Sequence, residues 1–343
     1  VSRLTRWRLV NEPNKEDTMN RLWRTIAVAA SVAAYCISGF GQTAEQPVVI
    51  TIETENAVLY RDNTFDITRI AKVQTPTTSV NIAFRPGINI ADIVALNGKA
   101  ARGTFSNTFV AMPYRANPAP GEPVADANGT ATFHCTWHVL APDGTYVGTI
   151  HDSGAGPSLD HVVVGGTGAF FGVTGVHRSA WEQITPWRWA STEEDPANRR
   201  IHGGGKARTI FRLYPRYRPA VDVTADGPAV FRAADFSPVT AAKPARSGEV
   251  LMVRARNLGP TRPELLPPGS RPFKADPVEM VNSPVGVTVN GKEVEVINQV
   301  GWPGTYDLYR VDFRVPSGLP PGLATIQLTA AWIPSPEVKI PVQ

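Results

Sequence analysis

Cysteine is nearly absent from this chain. Its 343 residues hold two, Cys36 and Cys135, and Cys36 falls in a segment with the layout of a cleavable leader. Arg21 and Arg24 precede an apolar stretch from Ile26 to Ile37, and the small residues Gly39 and Gly41 sit just before a cut ahead of Gln42. The stretch is 12 residues long, short of the roughly 20 that cross a bilayer. That excludes a stable membrane span once the leader is removed. Met19 reads as the start, with residues 1–18 as an upstream extension. One cysteine after cleavage excludes an internal disulfide, so stability must come from buried sheet faces.

Positive charge is also scarcer than the total suggests. The formal net charge is +4, but residues 1–41 hold six basic and three acidic side chains. The remainder is close to neutral, which excludes the basic footprint of a nucleic-acid binder. Long amphipathic helices are missing after residue 46. The 29 glycines and 31 prolines cut the chain into short apolar runs, the pattern of an all-β protein with many turns.

A nucleotide site is missing too, although one stretch imitates it. In Val163 to Gly175, Gly166, Gly168 and Gly172 fit a loose G-x-G-x-x-x-G. A dinucleotide fingerprint needs a helix behind it to receive the pyrophosphate. Here Val173, Thr174, Gly175 and Val176 follow, which are poor helix formers, and no lysine is present for a phosphate loop. Gly166 to Phe171 reads instead as a bend in a sheet, where glycine permits positive φ and a bulge.

What remains is a succession of strands. Val48 to Ile52, Leu59 to Arg69 and Val80 to Phe84 open the first domain, and residues 113–129 read as a loop. Thr130 to Leu140 alternates most clearly. Phe133, Cys135, Trp137 and Val139 share one face, and Thr132, His134, Thr136 and His138 share the other. The turn Pro142-Asp143-Gly144 leads into a return strand from Tyr146, and Ala207 to Tyr214 closes the domain. Residues 215–228, with three prolines, read as a linker. In residues 229–343, strands at Val250–Ala255, Val285–Val289, Val294–Ile297, Tyr309–Val315, Ala324–Ala330 and Val338–Val342 suggest a β-sandwich. Asn290-Gly291 marks a hairpin.

Two resemblances sharpen this. Gly165-Gly166-Thr167-Gly168-Ala169-Phe170-x-Gly172-Val173-x-Gly175 resembles the late-strand motif of the allene oxide cyclase and dirigent-like barrel superfamily. Asn97 to Thr104, Asp143-Gly144-Thr145, Gly148-Thr149-Ile150 and Asp152-Ser153-Gly154 precede it in the order seen in bacterial members. The resemblance covers residues 47–214 and implies a small antiparallel β-barrel. Plant members steer radical coupling or a cyclisation by confining a reactive ligand, but none of their catalytic residues aligns here. The second domain resembles the Solibacter-type uncharacterised C-terminal domain of exported acidobacterial proteins. That match rests on Pro228-Ala229-Val230-Phe231, Gly248-Glu249-Val250, Asn257-Leu258-Gly259-Pro260, Val287 to Gly291 and Val315 to Gly322. It implies an Ig-like sandwich and an exported context.

Chemistry is harder to place. All six histidines lie in the first domain. His134 and His138 have the H-x-x-x-H spacing of a zinc helix, but on a strand they stand about 13 Å apart, too far to share one ion. His151, on the return strand, could approach one of them. Asp152, Asp160 and His161 form either an acid–base pair at a barrel mouth or ordinary turn chemistry. Ser153 has no G-x-S-x-G elbow. Trp181, Trp187 and Trp189 read as core or as a ligand-binding cluster.

The expectation is an exported, secreted or periplasmic all-β protein: a leader region (1–46), a dirigent-like barrel (47–214), a linker (215–228) and an Ig-like sandwich (229–343). No metal, cofactor or nucleic acid is assigned, and no reaction is named. The leading role is non-catalytic binding or scaffolding, with a small apolar ligand held in the barrel. An isomerase-like or stereo-directing catalyst and a cell-surface adhesion module are the alternatives. Candidate ligand-binding residues are His134, Thr136, His138, Asp152 and His161. If the first three point inward, a lined cavity follows. If Phe133, Trp137 and Val139 do, the barrel is filled.

Overall fold

The computed structural model describes residues 46–61, 85–112, 130–155, 160–178, 182–191 and 193–343. The expected leader, the strand expected at Val80–Phe84, the loop expected at 113–129 and Trp181 lie outside these residues. Residues 47–343 fall in one compact unit.

The first half of this unit is a closed barrel. Strands β1 (Val48–Arg61), β2 (Arg85–Leu96), β3 (Lys99–Met112), β4 (Thr130–Leu140), β5 (Tyr146–Ala155), β6 (Asp160–Gly168) and β7 (Thr174–Arg178) each pair antiparallel with the next. Two short strands follow, β8 (Glu182–Thr185) and β9 (Arg188–Ser191), and then β10 (Gly205–Tyr214). β10 joins β7 to β1 and closes eight antiparallel strands into a barrel, while β8 pairs with β10 and β9 runs parallel to β1. Closure leaves no edge among these eight, which answers the hazard of an exposed strand edge.

The alternation read on Thr130–Leu140 holds from Thr132 to Val139. Cys135, Trp137 and Val139 are buried, and His134 and His138 are exposed. Toward the β2–β3, β4–β5 and β6–β7 turns the interior is apolar, with Ile50, Ile52, Leu96, Val139, Ile150 and Leu213 all fully buried. Phe170 closes this end from beneath. Gly165 and Gly166 stay within β6, and residues 169–172 turn the chain into β7. A Cβ on Gly166 would stand 2.4 Å from the Thr149 carbonyl oxygen and 2.6 Å from that of Phe170. Only glycine therefore lets Phe170 fold under the barrel. The glycine run is a shape element twice over: the β5–β6 register shifts at Val164–Gly165 within β6, and residues 169–172 form the β6–β7 turn.

The second half is sandwich-like. Its strands are β11 (Ala220–Val221), β12 (Val223–Thr224), β13 (Gly227–Pro228), β14 (Val230–Arg232), β15 (Val250–Arg256), β16 (Val285–Val289), β17 (Lys292–Val294), β18 (Val296–Gly301), β19 (Tyr309–Arg314), β20 (Gly322–Ala330), β21 (Ile333–Pro334) and β22 (Val338–Val342). One sheet holds β11, β14, β15, β19 and β18, and the other β17, β16, β20, β21 and β22. Alternate residues Leu251, Val253, Val311, Phe313, Ile326 and Leu328 fill the space between the sheets. The Asn290-Gly291 turn takes φ of 48° and 76°, the left-handed pair a two-residue hairpin needs. The strand expected at Val294–Ile297 is divided. β17 completes the hairpin, and the chain then changes sheets to begin β18. β11, inside the expected linker, already pairs with β15.

The turn end of the barrel is seated on the sandwich. Ala331, Trp332 and Ile333 join the barrel's apolar core. Asn282 Nδ2 donates to the Tyr146 carbonyl at 2.5 Å, Arg218 Nε to the Pro334 carbonyl at 3.2 Å, and Lys99 pairs with Glu293.

Candidate functional site

The other half of the barrel interior is polar. The register of β4 against β5 makes Cys135 and Asp152 direct partners, and that of β6 against β7 does the same for His161 and His177. All four side chains point inward and are buried. Gly154 stands opposite His161, and a Cβ there would lie 2.7 Å from the imidazole. Its absence lets that ring lie across β5 toward Asp152.

Asp152 is the centre of the group. His161 Nδ1 lies 2.7 Å from Oδ1, His177 Nε2 lies 3.0 Å from the same oxygen, and Trp137 Nε1 donates to Oδ2 at 2.7 Å. The His177 contact is close but off the direction of a hydrogen bond, and neither nitrogen of that ring has a hydrogen-bond partner. Cys135 Sγ is 3.8 Å from His161 Nδ1. Burial alone would push the Asp152 carboxyl up. The surrounding His161, His177 and Trp137 outweigh it and hold the group well below the usual carboxylate range. Burial, reinforced by Asp152, pushes the Cys135 thiol far above its ordinary value.

These facts exclude a nucleophilic triad. A neutral thiol is a poor nucleophile. A relay also needs the base to touch nucleophile and carboxylate through different ring nitrogens, whereas His161 Nδ1 faces both.

The polar row continues across β3 and β2. Asn107 is the partner of Cys135 and Asn89 the partner of Asn107. Both amide atoms of Asn107 and Oδ1 of Asn89 are buried without a hydrogen bond. Beside the cluster lies a cavity of about 20 Å³ lined by Thr54, Phe105, Cys135, His161, His177 and Thr209, among others. That is room for about one water. A larger groove of about 400 Å³ runs between the barrel base and the sandwich past Val49, Lys99, Val285 and Glu293. Its polar lining is Asn97, Lys99, Thr288, Glu293 and Thr329, with Lys99 and Glu293 paired to each other.

The expected site residues separate into two sets. Asp152 and His161 come together inside the barrel. Of the two orientations that the alternation left open, the structure has His134, Thr136 and His138 on the outer face of β4, and Cys135, Trp137 and Val139 inside. His151 lies on the same outer face. It lies opposite Thr136 and contacts Thr136 Oγ1 at 3.3 Å and Thr149 Oγ1 at 2.9 Å. Asp160 is exposed. Trp187 is half-buried against the core, and Trp189 is exposed.

Cys135, His177, Asn89 and Asn107 were not expected. A signal for two of them was present. Cys135 and Asp152 are equally far from the Asp143-Gly144 turn, and His161 and His177 are equally far from Ala169. Hairpin symmetry pairs His161 with His177, and it pairs Cys135 with Asp152 once the β4–β5 register shift beside Leu140 is included.

No family model and no curated protein matches the chain. Among solved structures, the N-terminal domain of the Streptococcus gordonii adhesin Sgo0707 aligns with 88% of this chain and 93% of its own, at 10% identity and a TM-score of 0.19. That likeness is too slight to bear on fold or function.

Proposed function

We propose that this is an exported binding protein whose barrel holds a small polar species among Asn107, Cys135, Asp152, His161 and His177, with the sandwich as its rigid support. The carrying observation is the set of buried, unpartnered polar atoms on Asn89, Asn107 and His177. A donor or acceptor left unmade inside a protein costs about 1–3 kcal/mol, and the cavity beside this cluster offers an occupant somewhere to sit. An apolar ligand fits less well. The apolar half of the interior is filled by its own side chains, and drug-sized ligands occupy roughly 300 Å³ or more. The same limit weighs against a barrel-confined cyclisation. The leader pattern supports export. The closed antiparallel barrel and the sandwich behind it support kinship with the dirigent-like and acidobacterial C-terminal families.

Native mass spectrometry of the exported chain tests the reading. The intact protein should carry a bound small species, lost in His177→Phe. A bare mass, together with thermal stability unchanged by exhaustive dialysis, would leave the barrel a structural element only.

A further inference from the structure

We infer that Cys135, Asp152 and His161, with His177 beside them, form a binding site for a divalent transition-metal ion of the zinc class. This rests on the reading of the barrel as a site for a polar occupant and names that occupant. Cys135 Sγ, an Asp152 oxygen and a His161 ring nitrogen all lie within 4.8 Å of one another, contributed by three adjacent strands. Tetrahedral zinc, with Zn–S near 2.3 Å and Zn–N near 2.0 Å, sets sulfur and nitrogen about 3.5 Å apart. The 3.8 Å between Cys135 and His161 is close to that. The Asp152–His161 contact at 2.7 Å would open by about half an ångström to reach a tetrahedral edge.

A second observation points to a ligand independently. His177 is 3% exposed, has no hydrogen bond at either ring nitrogen, and directs Nε2 to within 3.0 Å of Asp152 Oδ1. The ring reaches Asp152 through Nε2 alone, and its Nδ1 is buried without a partner. A cation in the cluster would supply one. It would also balance Asp152, whose side chain is fully buried and which no lysine or arginine among the described residues reaches.

The donor set selects the ion. Thiolate with imidazole and one carboxylate suits Zn²⁺ and Co²⁺ and disfavours Mg²⁺ and Ca²⁺, which take oxygen ligands. Binding converts the Cys135 thiol to thiolate, its proton passing to solvent. Trp137 Nε1, donating to Asp152 Oδ2, would hold the carboxylate with Oδ1 toward the ion, as outer partners of metal ligands do. The cavity beside Cys135, His161 and His177 leaves space for a water on the ion.

The test uses the full chain without an affinity tag, stripped by chelator and titrated with Co²⁺. One ion per chain is expected, with a thiolate-to-cobalt charge-transfer band in the near ultraviolet. Cys135→Ser should lose the band while retaining the near-UV dichroism of the fold, and Cys135→Ala serves if serine disturbs folding. Trp137→Phe should keep the band and weaken affinity by roughly 10–100-fold. A double His134→Ala/His138→Ala variant should bind as the parent does. Co²⁺ bound without the charge-transfer band, or lost in that outer-face variant, overturns the site. If the stripped chain takes no Co²⁺ yet the untreated chain retains another small species, the metal falls and the binding barrel stands. If it retains nothing, both fall.

Discussion

The two halves of this chain treat buried polar groups in opposite ways. In the sandwich each has a partner. Glu279, 1% exposed, receives Arg271 Nη2 at 2.5 Å and Thr261 Oγ1 at 3.3 Å. Tyr309 donates to the Gly259 carbonyl at 2.6 Å, and Asp312 receives the Arg310 guanidinium at 2.8 Å. Among the described residues, no buried side-chain polar atom beyond residue 208 lacks a hydrogen bond. The barrel half leaves Asn89, Asn107 and His177 incomplete in its interior, and Tyr60 Oη and Arg199 Nε incomplete elsewhere. Both halves are all-β, and both have a well-filled apolar core. The difference is therefore not one of fold class or packing. It marks where burial serves structure alone and where it prepares a site.

The comparison can be broken first on the barrel's outer wall. There Asp92 receives Arg199, Arg200 and Asn56, with Arg200 Nε at 2.9 Å and Asn56 Nδ2 at 3.0 Å. Arg199 is 6% exposed, so Asp92→Ala strands a buried guanidinium and should cost about 3–5 kcal/mol. Arg200 is largely exposed, and Arg200→Ala should cost about 1 kcal/mol or less. Urea unfolding of the two variants measures both. The larger loss would show that the barrel's outer wall depends on its paired charges as the sandwich does. Near-equal losses would mean that incomplete pairing is general in this domain.

A second pair of variants should move in opposite directions. Tyr309→Phe in the sandwich leaves the Gly259 carbonyl without its partner and should destabilise by about 1–3 kcal/mol. Asn107→Leu in the barrel removes two unpartnered amide atoms at nearly constant volume. In the chelator-stripped chain it should be neutral or stabilising, by up to about 1 kcal/mol. Thermal and urea midpoints on both chains decide it. A loss at Asn107 matching that at Tyr309 would mean that its amide is satisfied, and the contrast between the halves would collapse.

Much of this architecture was legible in the residues. The alternation of Thr130–Leu140, the Asn290-Gly291 hairpin and the glycine run each carry a local physical signal, and each shapes the chain as that signal requires. Strand facing was legible too, but not which face is inside. His134 and His138 are metal-ligand residue types, yet Trp137 and Val139 on the opposite face supply the larger apolar burial and take the interior. The cluster itself depends on register across four strands and on Gly154, which admits the His161 ring. No local pattern encodes that. The split at Val294–Ile297 was hidden for the same reason, because a change of sheet leaves the alternation of side chains almost untouched.

The smallest expected effect concerns acid. Asp222, in the sandwich, receives Arg254 Nη2 at 2.6 Å and Arg256 Nε at 3.2 Å. Burial pushes its carboxyl up, but the two guanidinium groups outweigh that and hold it below the usual range. A carboxylate with a depressed folded-state pKa contributes stability that is complete above its unfolded value, near 3.9. That contribution is lost as pH falls through the lower folded value. Asp222→Asn should therefore be less stable than the parent at pH 7, by about 1 kcal/mol or less because Arg256 is half exposed. The gap should narrow below pH ~4. Urea midpoints across that range measure it. A gap constant with pH would show that these pairs satisfy geometry without contributing charge-dependent stability. The sandwich's polar completeness would then be a matter of avoided cost alone, which is the cost the barrel interior still carries at Asn107 and His177.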